Sequence, residues 1–120
     1  MKNIVCLLLL FFITSTIVAT PSPNKTQGAV EKIDIKEQLS IGKKIYRRRC
    51  AFCHASGAAG SPKIKDKKQW EKRYKQGMGV LVHHVTKGYH LMPPKGTCSR
   101  CTPHELKSAV RYLLHKSGAS

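Results

Sequence analysis

The spacing of apolar positions predicts four helical segments and no strand. The first covers roughly Lys36 to Arg49, where Leu39, Gly42, Ile45, Tyr46 and Arg49 recur at three- and four-residue intervals while Lys43, Lys44, Arg47 and Arg48 face outward. Gly42 within that stripe costs about 1 kcal/mol against alanine, so it marks a place where another backbone comes close. Asp66 is placed to cap a second, short helix, KKQWEKRYKQG, with Trp70 and Tyr74 on one face and Gly77 past its end. A third, MGVLVHHVTKG, stops at Gly88. The last opens on Thr102-Pro103-His104-Glu105, a capping box with proline at the first helical position. It carries Leu106, Ala109, Val110, Leu113 and Leu114 on one stripe and ends before Gly118. Between these lie two irregular stretches. HASGAAGSPKIK is punctuated by small residues and a proline, and in YHLMPPKG the Pro93-Pro94 pair forces Met92 into an extended conformation.

The first twenty residues stand apart. Lys2 precedes the apolar run IVCLLLLFFI and then small and polar residues, the layout of a secretory signal over 1–20. Cleavage near Ala19 fits, although Ile17 is large for the position three before the cut. The alternative is an uncleaved anchor, for which the apolar run is short. Residues 21–34 begin Pro-Ser-Pro-Asn-Lys and read as a flexible linker, which leaves 35–117 as one all-α domain. Export places the protein in the periplasm, where disulfides persist. It also removes Phe11 and Phe12 from a chain with only 3 phenylalanines. A core so poor in large side chains calls for a staple, a metal or a cofactor.

The charge is +16 at pH 7. In an exported chain such a balance points to acidic protein surfaces, or to peripheral association with anionic head groups, rather than to nucleic acid.

Two CxxC pairs carry the chemistry. Cys50-Ala51-Phe52-Cys53-His54 has the spacing for covalent attachment of one c-type haem. Two thiols add across the vinyl groups, and His54 is then held beneath the iron. With Cys98-Ser99-Arg100-Cys101 the same cysteines also make a candidate zinc tetrad. The oxidising compartment, the long gap between the pairs and the unfilled core all oppose zinc. A second axial ligand would come from Met78, His83, His84, His90 or Met92. Met78 has the spacing of a core residue, and surface positions are expected for His83 and His84. Met92 is favoured because the stiff segment before Pro93-Pro94 projects a thioether free of helical neighbours; His90 is its main competitor.

These residues, in this order, resemble a class I monohaem cytochrome c, within it the small bacterial cytochrome c-five group. The likeness is carried by Gly42 and Tyr46 before Cys50-x-x-Cys53-His54, then by Gly60-Ser61-Pro62-Lys63, Trp70, Arg73, Gly77, Gly88 and Met92-Pro93-Pro94-Lys95-Gly96. Cys98-x-x-Cys101 ahead of Glu105-Leu106-Lys107-x-Ala109-Val110-x-Tyr112 completes it. Thr97 departs from the pattern, which commonly has glycine there. The resemblance implies a cytochrome c-type fold of about four short helices around one haem, with Gly42 crossing the last helix at Tyr112. It further implies that the Pro62 carbonyl orients His54, that Trp70 and Arg73 contact haem propionates, and that Cys98 and Cys101 form a disulfide bracing the loop after Met92.

With both axial positions taken by His54 and Met92 there is no open site for a substrate, so a carrier and not an enzyme is expected. Met/His ligation raises the potential, which suits a monomeric periplasmic shuttle in a respiratory chain. Its partners would present acidic docking surfaces, as on a terminal oxidase or a cytochrome bc-type complex. Lys63, Lys65, Lys95 and Arg100 flank the haem loops as docking charges. The alternative role is a cytochrome subunit held within a dehydrogenase or oxidase complex.

Overall fold

The computed structural model describes residues 25–120, with the side chains of 25–31 and 33 excepted. The signal read over 1–20 and the first linker residues lie outside the described part. The described chain is helical, and its one β-type pairing is an isolated bridge between Tyr89 and Met92. Among the described residues no helix is long and apolar enough to cross a membrane.

Helix α1 spans Lys25–Ile45, so it starts well before Lys36 and takes in much of the segment expected to be a linker. The prolines end at Pro23, and Ala29, Glu31, Lys32, Lys36 and Glu37 are all good helix formers. The side-chain amide of Gln38 also donates to Asp34 one turn earlier, at 2.7 Å. At its other end α1 does not stop near Arg49. It passes through one wider, π-type turn over Tyr46–Cys50 into α2, Ala51–Ser56. Gly57, in the left-handed region at φ 87°, terminates the rod and donates its N–H to the Cys53 carbonyl at 2.8 Å. The wide turn shifts the helical register. Arg49, expected on the buried stripe, is therefore exposed, whereas Ile45 and Tyr46 just before it are buried.

Helix α3, Lys67–Tyr74, begins where Asp66 accepts from the Gln69 N–H at 3.0 Å. It buries Trp70 but leaves Tyr74 partly exposed, because the helix ends at that residue. Helix α4, Met78–Lys87, lies between Gly77 and Gly88 and buries Leu81 and Val85. Helix α5, Pro103–Ser117, opens on the expected capping box: Thr102 accepts from the Glu105 N–H, and the Glu105 carboxylate accepts from the Thr102 N–H at 2.8 Å. These bonds hold the Glu105 carboxyl below the usual carboxylate range. Every residue of the expected α5 stripe is buried, Leu114 completely.

The α1–π–α2 rod counts as one helical body, so four bodies make up the domain. Its main contact is α1 against α5. Gly42 sits at that crossing, where a Cβ would fall on the Ser108 carbonyl and come within 2.8 Å of the Tyr112 Cβ. The rings of Tyr46 and Tyr112 pack beside it, centroids 5.5 Å apart. Gly42→Ala should therefore lower the stability by about 2 kcal/mol despite alanine's better helix propensity. Urea unfolding followed by circular dichroism measures this; parent-like stability would contradict the close crossing.

Candidate haem-binding site

The end of the π-type turn and helix α2 carry Cys50-x-x-Cys53-His54 on one short rod, and the chain then doubles back. The Ile64 N–H donates to the His54 carbonyl at 2.7 Å. Directly before it, the Pro62 carbonyl lies 2.9 Å from His54 Nδ1. A carbonyl can only accept, so Nδ1 carries the proton and Nε2 presents its lone pair. The Lys63 carbonyl accepts from the Trp70 indole N–H at 2.8 Å, which ties the same loop to α3. His54 is buried, and burial, with a smaller contribution from the Arg73 charge, holds its pKa below the ordinary value. The imidazole is thereby kept neutral, as a metal ligand must be.

His54 opens into a cavity of about 490 Å³, within the size range of small-molecule and cofactor sites. Pro62 and Trp70 line its wall with His54. Leu81, Val85, Val110 and Leu113 supply apolar surface, and Leu91 and Met92 enter from the segment after α4. Gln69, Arg73 and Gln76 supply polar groups. Arg73 is held by Gln69, its Nη1 donating to the Gln69 carbonyl at 3.1 Å and to Oε1 at 2.6 Å. The Trp70 N–H is already engaged with Lys63, so Trp70 lines the cavity without offering it that donor. Its ring is tilted against that of His54, centroids 5.7 Å apart.

The segment after α4 is equally constrained. Tyr89 and Met92 exchange backbone bonds of 3.0 and 2.9 Å. Gly88, at φ 87° and ψ 159°, makes the turn; a Cβ there would lie 2.8 Å from the Met92 carbonyl and 3.1 Å from the Pro94 nitrogen. Met92 is half-buried. His90 is exposed yet also lines the cavity, with its ring 4.3 Å from that of Tyr89. His84 stacks on Tyr89 at 4.0 Å, His83 points outward, and Met78 packs against the core. The Tyr89–His84 stack at the cavity edge has no signature in residue spacing, nor does the role of Gln69 and Gln76.

The two cysteine pairs have separate fates. Cys98 and Cys101 are joined in a disulfide, Cα atoms 5.4 Å apart. Cys50 and Cys53 are free and half-buried, and burial with the neighbouring Cys53 pushes the Cys50 thiol up to about 11. Among the described residues no cluster of three or more histidine, cysteine or acidic side chains could hold a metal ion. The zinc tetrad does not assemble, since one of its pairs is spent on itself.

The family described as "Cytochrome C oxidase, cbb3-type, subunit III" matches residues 37–113. Cytochrome c-555 of Chlorobaculum tepidum is 40% identical over 82 residues, covering 65% of this chain and 76% of its own. The chain belongs to the class I monohaem cytochromes c. Cytochrome c5 of Ectopseudomonas mendocina is 36% identical over 71 residues, covering 58% of this cytochrome and 82% of its own length. A cytochrome chain in "Crystal structure of electron transfer complex of nitrite reductase with cytochrome c" superposes with a TM-score of 0.61 at 39% identity, over 64% of this chain and 94% of that one. Such cytochromes carry one covalent c-type haem and act as electron carriers. The residues here fit that group: paired free thiols on a helix, a neutral imidazole with an open Nε2, and a largely apolar cavity reached by a thioether.

Gly88→Ala should destabilise the cytochrome by about 2 kcal/mol, because alanine is strained at that φ and its methyl would displace the Met92 carbonyl. Thermal unfolding measures it, and an unchanged midpoint would contradict the tight turn.

Proposed function

We propose that Cys50 and Cys53 hold the haem through two thioethers, that His54 and Met92 are its axial ligands, and that the protein shuttles single electrons in the periplasm as part of a respiratory chain. The observation that carries this reading is that His54 and Met92 line the same cavity, each with its backbone tied down. When bound, the haem supplies one-electron exchange between ferrous and ferric iron. The protein's part is positional. Pro62 fixes the imidazole plane and its tautomer, the burial of His54 keeps that ring neutral, and Trp70 closes one side against water. Held by both His54 and Met92, the iron would have no position left for a substrate, so the proposed role is transfer and not catalysis. Gln69, Arg73 and Gln76 are polar groups available to haem carboxylates.

The net charge of +16 supports docking to redox partners with acidic surfaces, such as a terminal oxidase or a cytochrome bc-type complex. Lys63, Lys65 and Arg100 are exposed and serve that role. In the similar solved structure the cytochrome c is in an electron transfer complex with nitrite reductase, which supports a redox-protein partner. The family description favours a second reading, a subunit held within an oxidase; co-purification with a larger enzyme would select it.

Matured protein should retain one haem after denaturation and acid–acetone extraction, titrate as a single one-electron centre, and react more slowly with an acidic redox partner as salt is added. Extractable haem would overturn the thioether assignment, and a salt-independent rate would overturn the docking assignment.

A further inference from the structure

The turn that follows Met92 is made from the wrong hand of backbone. Lys95, Gly96 and Thr97 lie in succession at φ 56°, 56° and 67°. Left-handed conformations occur as single residues, mostly glycine, because an L side chain crowds the carbonyl there. A β-branched residue such as Thr97 is the least suited to them. Short-range backbone bonds run from Gly96 N–H to the Pro93 carbonyl at 2.9 Å, from Cys98 N–H to the Lys95 carbonyl at 3.0 Å and from Ser99 N–H to the Thr97 carbonyl at 3.1 Å. Something outside the turn has to hold it.

Lys95 provides that hold. Its ammonium, expected as a docking charge, is turned back onto the protein. It reaches over the disulfide loop and donates to the Ser99 carbonyl at 3.2 Å and the Cys101 carbonyl at 3.3 Å. The Cys98–Cys101 bond fixes those two acceptors relative to each other, and both cysteines are buried. On its other side the Met92 segment is already tied through Tyr89 and Gly88. Within the turn, a Cβ on Gly96 would lie 3.6 Å from the Met92 methyl, so movement of the turn is movement of the thioether's surroundings.

We infer that Lys95 is the positioning residue for Met92: its ammonium latches the left-handed turn to the carbonyls of the disulfide loop and so fixes where the thioether sits. The disulfide acts through Lys95, as a rigid pair of acceptors. The consequence for the iron rests on Met92 being the axial ligand; the latch itself does not.

The test compares haem-loaded wild type with Lys95→Met, Lys95→Arg and Thr97→Gly by amide hydrogen exchange and by the weak far-red absorption that a methionine–iron bond gives the ferric protein. Lys95→Met, which keeps the stem and loses the charge, should exchange roughly tenfold faster at Gly96 and Cys98 while α1 and α5 amides are unchanged. Its far-red band should fade on heating before the helices melt. Lys95→Arg should restore both properties, and Thr97→Gly should slow exchange at the same two amides. Wild-type exchange at Gly96 and Cys98 in Lys95→Met would overturn the latch, as would a uniform acceleration at every amide. If wild type lacked the far-red band, the assignment of Met92 as ligand would fail, and the exchange data would still decide the latch.

Discussion

One hydrogen bond, 2.9 Å from His54 Nδ1 to the Pro62 carbonyl, fixes the orientation on which the site depends. An imidazole on a helix can otherwise turn about its side-chain bonds and exchange tautomers, and either motion would remove the Nε2 lone pair from the cavity. The surrounding structure keeps donor and acceptor together. Gly57 ends α2 abruptly, the 57–64 loop folds back so that Ile64 bonds the His54 carbonyl, and Trp70 secures the adjacent Lys63 carbonyl from α3. Burial, achieved by the same packing, keeps the ring neutral.

The part of the cavity wall at Met92 is built by different means. Met92 belongs to no helix, and its position comes from backbone constraints on either side: the Tyr89 bridge and Gly88 before it, the left-handed Lys95–Thr97 turn after it. Helix α5 follows directly from the disulfide, so its packing against α1 anchors the Met92 segment to the same scaffold that carries the cysteines and His54. The crossing at Gly42 matters to the site for this reason. It sets the separation of the two bodies from which the cavity walls are hung.

The helices with local signals were legible in the sequence. Asp66, Thr102 and Glu105 announce their caps, and the Leu106–Leu114 stripe has one period and one buried face. Leu39, Ile45 and Tyr46 likewise announced the inner face of α1. The helix ends were harder. Pro21, Pro23 and Gly28 made the start of α1 read as linker, and the π-type turn at Tyr46–Cys50 leaves no mark in spacing, so Arg49 fell on the wrong face. The CxxCH motif and Met92 stood out because their chemistry depends on local spacing. Contacts between distant segments did not stand out: the Tyr89–His84 stack, the Gln69–Arg73 pair, and the inward reach of Lys95, which as a bare lysine reads as a surface charge. Thr97 was visible as a departure from the family pattern, but its meaning needed a backbone angle.

The proposed ligand pair is His54 and Met92, and not His54 and His90. The far-red spectrum of the ferric, haem-loaded protein tests it most directly when taken on wild type, Met92→Ala and His90→Ala. The band is expected in wild type and in His90→Ala, and its loss is expected in Met92→Ala. A band that survives in Met92→Ala, or one that is missing from wild type, would contradict it.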